Sequence, residues 1–359
     1  MIFFAFLILL LISKNSFSQV TGHANKNLLD SITITIEQGA YPNVDAIVIL
    51  QDSEIIYEKY FNSLTKRSLH DCRSSFKSIT GLLTGIAIVK GFIKGVNEKV
   101  YSFFPEYKNY SNWDTRKDSM TIKDLLEMKS GYDCEEWNST KNCEDEMITF
   151  NDWLKFSLNL PMLHYPGKVW AYTSSNAIIL GGIISKAAKM TTSRFADTFL
   201  FHPLGIKNYR WTKDSSGHEM TAGSFYILPT DMIKLGELVL NNGIWKGKRI
   251  VSEKWIKEAT QPVTKIENFS NVKISKTKSA IPQPAYYGYT WYNEEIKTDK
   301  IKHNLIFASG NGGQYIMIIK DLNLVMSFTG NSYNSWKSKL PFEILIKYIL
   351  PYFDKKVKL

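Results

Sequence analysis

Two side chains in the stretch Arg73-Ser74-Ser75-Phe76-Lys77-Ser78-Ile79-Thr80-Gly81-Leu82-Leu83 have the types and spacing for nucleophilic chemistry. Ser74 and Lys77 are three residues apart, which on a helix puts both on one face, about one turn apart. Ile79, Leu82, Leu83 and Ile86 follow the i, i+3, i+4, i+7 pattern, so a buried helix opens here. A serine at the mouth of that helix meets backbone N–H groups and the positive end of the helix dipole. A lysine one turn in, packed against apolar groups, loses its proton more easily than in water. Together they supply a route to a nucleophilic hydroxyl that needs no histidine. The same Ser-x-x-Lys spacing recurs at Ser63–Lys66, Ser270–Lys273 and Ser275–Lys278, but those copies lie in polar or irregular stretches and open no apolar helix.

The elements that must position this pair are read from periodicity. Residues 26–39 form an amphipathic pattern through Leu28, Leu29, Ile32 and Ile36. Val44–Leu50 and Glu54–Phe61 read as two strands joined by a turn at Gln51-Asp52-Ser53. The key helix runs to about Lys90, with Gly91 as its stop. Residues 92–200 read as helices and loops, including one helix capped near Thr121 and one over Phe150–Leu158. Pro166-Gly167 marks a turn, and Tyr172 and Asn176 sit on a loop leading into an apolar helix from Ala177 to about Lys186. Thr230–Asn241 is a helix, Gln261–Gln283 has no clear period and reads as an exposed excursion, and Tyr286–Tyr292 is strand-like. Asn304–Ala308, Gln314–Ile319 and Leu324–Thr329 read as strands, and Pro341–Tyr352 as a closing helix. The N-terminal and C-terminal strands have only each other to pair with. The fold class is therefore α+β, with one antiparallel sheet made from both chain ends, flanking helices, and a mainly helical lobe inserted at about 92–200.

The chain has 359 residues, 44% of them apolar, enough for a large core as one domain or two interleaved lobes. The net charge of +10 comes mostly from scattered lysines, with no basic patch interleaved with aromatics, so nucleic acid is not an expected partner. Ile2–Ile12 is an apolar run too short to span a bilayer comfortably. Ser16-Phe17-Ser18 then resembles a signal-peptidase site, giving a leader over residues 1–18 and a mature domain over 19–359 that is periplasmic or secreted and keeps no membrane span. The leader lacks Lys and Arg, which leaves an uncleaved anchor as the alternative. Of three cysteines, Cys134 and Cys143 bracket a polar loop and are candidates for a disulfide, and Cys72 is left as a spectator thiol. Asn138-Ser139-Thr140 is a glycosylation sequon. No zinc-type spacing and no Gly-x-Ser-x-Gly elbow appears, so no metal or cofactor is expected and a Ser-His-Asp hydrolase is disfavoured.

Several segments, in order, carry a resemblance to a known family: Ser74-Ser75-Phe76-Lys77-Ser78, Leu125–Gly131, Pro166-Gly167-Lys168-Val169-Trp170-Ala171-Tyr172, Leu228-Pro229-Thr230-Asp231-Met232, Leu240–Trp245 and Ala308-Ser309-Gly310-Asn311-Gly312-Gly313-Gln314. The chain resembles the serine β-lactamase and penicillin-binding-protein superfamily, in the branch grouped with class C enzymes, esterases and 6-aminohexanoate-dimer hydrolase. The resemblance implies Ser74 as the nucleophile that forms an acyl-enzyme, Lys77 beside it as cation or proton acceptor, and Tyr172 as general base. It also implies an oxyanion hole from the Ser74 amide and the strand near Asn311 after Gly310, with Asn176 and Ser309 available to touch substrate. Two departures stand out. The usual Tyr-x-Asn motif has Ser174 two residues after Tyr172, with Asn176 four after it, and the cation that usually opens the third motif is replaced by Ala308. Loss of that cation favours small esters or short amides over β-lactams and D-Ala-D-Ala termini. The expected function is an exported serine hydrolase of esterase or amidase type. The alternative is a non-catalytic or weakly active module that recognises cell-wall fragments. The loop Cys134–Cys143 is expected to overhang the cleft with Trp137, and Tyr287, Tyr289 and Trp291 either line the pocket or pack in the core.

Overall fold

A computed structural model describes residues 28–137 and 142–354. The leader over 1–18 and the sequon at Asn138 lie outside the described residues. An eight-stranded antiparallel sheet is the frame. Its strands are β1 (Val44–Gln51), β2 (Glu54–Tyr60), β3 (Thr264–Lys265), β4 (Ala285–Tyr287), β5 (Tyr292–Lys297), β6 (Lys302–Gly310), β7 (Gln314–Ile319) and β8 (Leu324–Gly330). In space they run β2-β1-β8-β7-β6-β5-β4-β3. β1 pairs with β8, Ile47 opposite Phe328 and Ile49 opposite Met326, so the two ends of the chain do close one sheet. The β1–β2 hairpin turns on Asp52 (φ 50°) and Ser53 (φ 64°), two consecutive left-handed residues whose twist matches that of the strands.

Alternation along the strands assigns side chains to two cores. Ile47, Ile49, Met317, Ile319 and Phe328 face a layer made by α1 (residues 28–37) and the C-terminal helical segments around Phe342, Leu345 and Ile349. Val48, Leu50, Ile316, Ile318 and Val325 face the other side, where α2 (Phe76–Val89), α3 (Ser174–Ala188) and α4 (Pro229–Leu240) lie. Between the small strands His70–Asp71 and Tyr209–Trp211, every regular element of the described residues is helical.

The structure corrects the sequence expectations in three places. The aromatic run Tyr286–Tyr292 is two strands, β4 and β5, joined by a turn at Gly288–Trp291, with Thr290 left-handed at φ 65°. Gln261–Gln283 is exposed over much of its length, as expected, but it is not irregular. It holds β3 and a short helix, Asn271–Ile274, pinned by the buried Glu294 carboxylate of β5, which accepts from Ser270 Oγ (2.6 Å), Asn271 N (2.9 Å) and Val272 N (3.1 Å). The helix placed at Ala177–Lys186 opens three residues earlier, at Ser174.

Candidate active site

α2 is the buried axis of the molecule; only its last turn reaches the surface. It is crowded on every side. A Cβ at Gly85 would lie 2.3 Å from the Trp255 ring, whose Nε1 donates to Gly81 O at 3.1 Å. Ahead of it, Arg73–Ser75 forms one 3-10 turn, and Arg73 takes a left-handed φ of 48°. This bend anchors to the small sheet through Cys72 N to Phe225 O (2.9 Å), and Ser75 Oγ donates back to Cys72 O (2.7 Å). Ser74 is thereby left as the partly exposed hydroxyl at the mouth of the helix.

Lys77, in the first turn of α2, is buried. Its ammonium donates to Ser74 Oγ at 3.0 Å and to Ala222 O at 3.0 Å, and it lies 4.9 Å from the centre of the Tyr172 ring. Burial pushes the Lys77 pKa down, as the apolar packing leads one to expect. Its interactions with Tyr172, and with the carboxylates of Glu144 and Glu136, outweigh burial and leave it above its ordinary value. The direction is opposite to the one expected from apolar packing alone: its polar neighbours favour the charged form of Lys77.

Tyr172 is held two residues ahead of α3, its carbonyl accepting from Glu136 N at 2.9 Å. Trp137 stacks on its ring at 5.0 Å, and Tyr292 lies beyond. Burial, then the neighbouring Tyr172 and Tyr287, raises the Tyr292 pKa well above its usual value, so Tyr292 stays neutral beside Tyr172.

These groups line a cleft of about 500 Å³ with Ser309, Gly310 and Asn311 at the end of β6. β6 passes so close to the nucleophile turn that a Cβ at Gly310 would lie 2.5 Å from Cys72 O, which only glycine allows. Asn311 is fixed by Asn334, which accepts from Asn311 Nδ2 (2.7 Å) and donates its backbone N–H to Asn311 Oδ1 (2.9 Å).

Asn176 is not in this cleft. It is buried, and its Nδ2 donates to Leu125 O at 3.3 Å. The reason is the early start of α3. With Ser174 and Asn176 both helical and two apart, their side chains diverge by about 200° around the axis, so Ser174 meets Glu136 and Glu144 while Asn176 points away from them. Tyr287, Tyr289 and Trp291 are core residues, and Tyr292 takes the lining position. Cys134 and Cys143 are joined as a disulfide with Cα atoms 5.6 Å apart, and Cys72 is a buried free thiol whose pKa burial pushes up.

Three charged lining residues are among those not anticipated. Lys339, just ahead of the C-terminal helical segments, brings a cation into the cleft that the third motif lacks. Glu136 and Glu144 flank the disulfide loop and meet at Ser174. A signal for them existed: closing Cys134 onto Cys143 brings the residues just after each cysteine together.

An antiparallel sheet of both chain ends with flanking helices, and a cleft lined by Ser74 and Tyr172, make up a β-lactamase-type fold. The chain belongs to the Beta-lactamase family, whose profile matches residues 36–340. The solved structure described as "Putative 6-aminohexanoate-dimer hydrolase from Bacillus anthracis" shares the fold, with a TM-score of 0.70 at 17% identity over 93% of this chain and 82% of that one. The octameric penicillin-binding protein homologue from Pyrococcus abyssi shares it at a TM-score of 0.67 and 16% identity, over 89% and 77% of the two chains. A sequence relative from Salmonella paratyphi B, named "Putative D-alanyl-D-alanine carboxypeptidase", is 20% identical over 344 residues, covering 76% of this chain and 79% of its own.

Proposed function

We propose that the protein is an exported serine hydrolase that cleaves a small ester or short amide through an acyl-enzyme on Ser74. The observation that carries this reading is the 3.0 Å contact between Lys77 Nζ and Ser74 Oγ, with Tyr172 against the same ammonium. Ser74 Oγ attacks the acyl carbon while the Tyr172 phenolate takes its proton. The Lys77 ammonium beside the Tyr172 ring favours the negative charge that the Tyr172 oxygen needs to accept a proton. The oxyanion forms between the backbone amides of Ser74 and Asn311, a pair of donors of the kind whose individual loss costs about 10²–10³ in rate. Tyr172 then returns the proton to the departing alcohol or amine. In the second half, Tyr172 takes a proton from water, the hydroxide displaces Ser74, and Ser74 recovers its proton.

Trp137, Phe269 and Tyr292 give the cleft an aromatic wall suited to a short apolar acyl or leaving group. Lys339 supports a second reading, recognition of a carboxylate-bearing cell-wall fragment, in line with the carboxypeptidase-named relative. The purified protein is expected to turn over p-nitrophenyl esters of short acids faster than nitrocefin or D-Ala-D-Ala peptides, measured as initial rates side by side. Absence of turnover on all of them, with saturable binding of a D-Ala-D-Ala peptide, would favour the binding module instead.

A further inference from the structure

Ser174 Oγ lies 3.0 Å from Glu136 Oε2 and 2.7 Å from Glu144 Oε2. A serine hydroxyl has one hydrogen to give, while an ionised carboxylate only accepts. Two ionised carboxylates cannot both be bonded to it, so one of the two short contacts needs a proton supplied by the carboxyl group. Burial favours Glu136 as the carboxyl group that keeps a proton. The shorter contact suits Ser174 donating to an anionic Glu144. The longer one suits a neutral Glu136 donating to Ser174. The other Glu136 oxygen, Oε1, already accepts from Ser174 N at 2.6 Å, at the N-terminus of α3.

We propose that Glu136, Ser174 and Glu144 form a proton-sharing bridge that positions Tyr172 and limits the negative charge beside Lys77 and Tyr172 to one unit. The bridge stands where the family's second motif usually has a single asparagine. Glu136 follows Cys134 by two residues and Glu144 follows Cys143 directly, so the disulfide Cys134–Cys143 holds the two carboxyl groups together. Glu136 also binds Tyr172 O through its own backbone N–H, so its carboxyl group and its main chain fix both ends of the Tyr172–Ser174 segment. Both glutamates are positioning residues, acting through Tyr172 and Lys77.

The charged and titratable groups facing the bridge are Lys77 from α2, Tyr172 ahead of α3, and, further out around Glu144, Asp71, Arg73 and Asp145. The Glu136 pKa is raised to about 7, chiefly by burial, with Lys77 pulling it down, Glu144 pushing it up and the hydrogen bonds from Ser174 pulling it down. Through that range a rise in pH removes the shared proton. The second negative charge then faces Tyr172 and repels the negative charge its oxygen must carry to accept a proton. Deprotonation of the bridge therefore opposes the gain in base that rising pH otherwise brings.

The kinetic half of this inference rests on the acyl-transfer reading above; the proton itself does not. Difference infrared spectroscopy of the full-length protein between about pH 6 and pH 9 is expected to show a protonated carboxyl band lost with a midpoint near 7. The same component should be missing from both Glu136→Gln and Glu144→Gln. Glutamine at 136 keeps a donor for Ser174 Oγ and an acceptor for Ser174 N but cannot ionise. Glu136→Gln is thus expected to match wild-type kcat/KM at about pH 6 and exceed it about tenfold at pH 9, whereas Glu136→Ala loses kcat at both. Glu144→Gln, which also prevents the doubly charged state, is the second arm. Identical infrared titrations in the wild type and both glutamine variants overturn the bridge whatever the protein hydrolyses. Superimposable pH profiles overturn its link to Tyr172.

Discussion

Replacing Ser74 by alanine is expected to lower ester turnover by a factor on the order of 10⁶, the scale seen when the nucleophile of a concerted catalytic unit is removed. Nothing near it can substitute. Ser75 Oγ is buried and committed to Cys72 O, and Ser78 Oγ is buried and committed to Thr290 O at 2.5 Å. The fold should tolerate the change, because Ser74 Oγ accepts one bond from Lys77 and the lysine keeps its 3.0 Å contact with Ala222 O. Steady-state rates beside a thermal melt check both halves: the rate falls to background while the midpoint stays within a few degrees. A variant that keeps more than a small fraction of the rate would move the nucleophile elsewhere.

Lys77→Met is expected to lower kcat/KM by about 10²–10⁴, the range of a lost general acid–base function. Methionine has the length and flexibility to fill the same channel, so the loss reports charge and not packing. With the cation gone, the Tyr172 phenolate loses its stabilising partner, and Glu136 loses the group that lowers its pKa. The residual activity should therefore rise with pH over a higher range than in the wild type. The sign for stability follows the same shift. The Lys77 pKa is raised above its ordinary 10.5 on folding, so its ionisation stabilises the native state below that pH. The gain is lost as pH climbs through the raised value, and Lys77→Met should lack this alkaline decline. A rate within threefold of the wild type would show that the ammonium is only structural.

The parts of the fold carried by apolar periodicity were legible from the sequence. Short continuous apolar runs such as Tyr315–Ile319 and the i, i+3, i+4, i+7 pattern after Ile79 follow from burial, and the sheet and α2 lie where those patterns put them. Chemistry fixed by a local turn was legible too, since Ser74 and Lys77 need only one helical turn between them to meet. What escaped was set by polar contacts between distant segments. Gln261–Gln283 shows no period because the Glu294 carboxylate, not an apolar face, pins it. Asn176 was misplaced by a shift in where a helix begins: two residues along an α-helix turn a side chain to the far side, whereas along a loop they need not. Glu136 enters the cleft from a loop, Glu144 from the short helix Cys143–Met147 and Lys339 from the 3-10 turn Trp336–Lys339, and their placement depends on the disulfide and on docking of the C-terminal segments.

The central claim is that the partly exposed hydroxyl of Ser74, activated by Lys77 and Tyr172, accepts an acyl group. Brief incubation with a fluorophosphonate, then digestion and mass spectrometry of the peptide spanning Ser74, Ser75 and Ser78, tests it most directly. One adduct, localised to Ser74, lost in Ser74→Ala and strongly slowed in Tyr172→Phe, is the predicted result. Folded protein that hydrolyses an ester yet carries no adduct on Ser74, or carries it on another residue, would contradict the account.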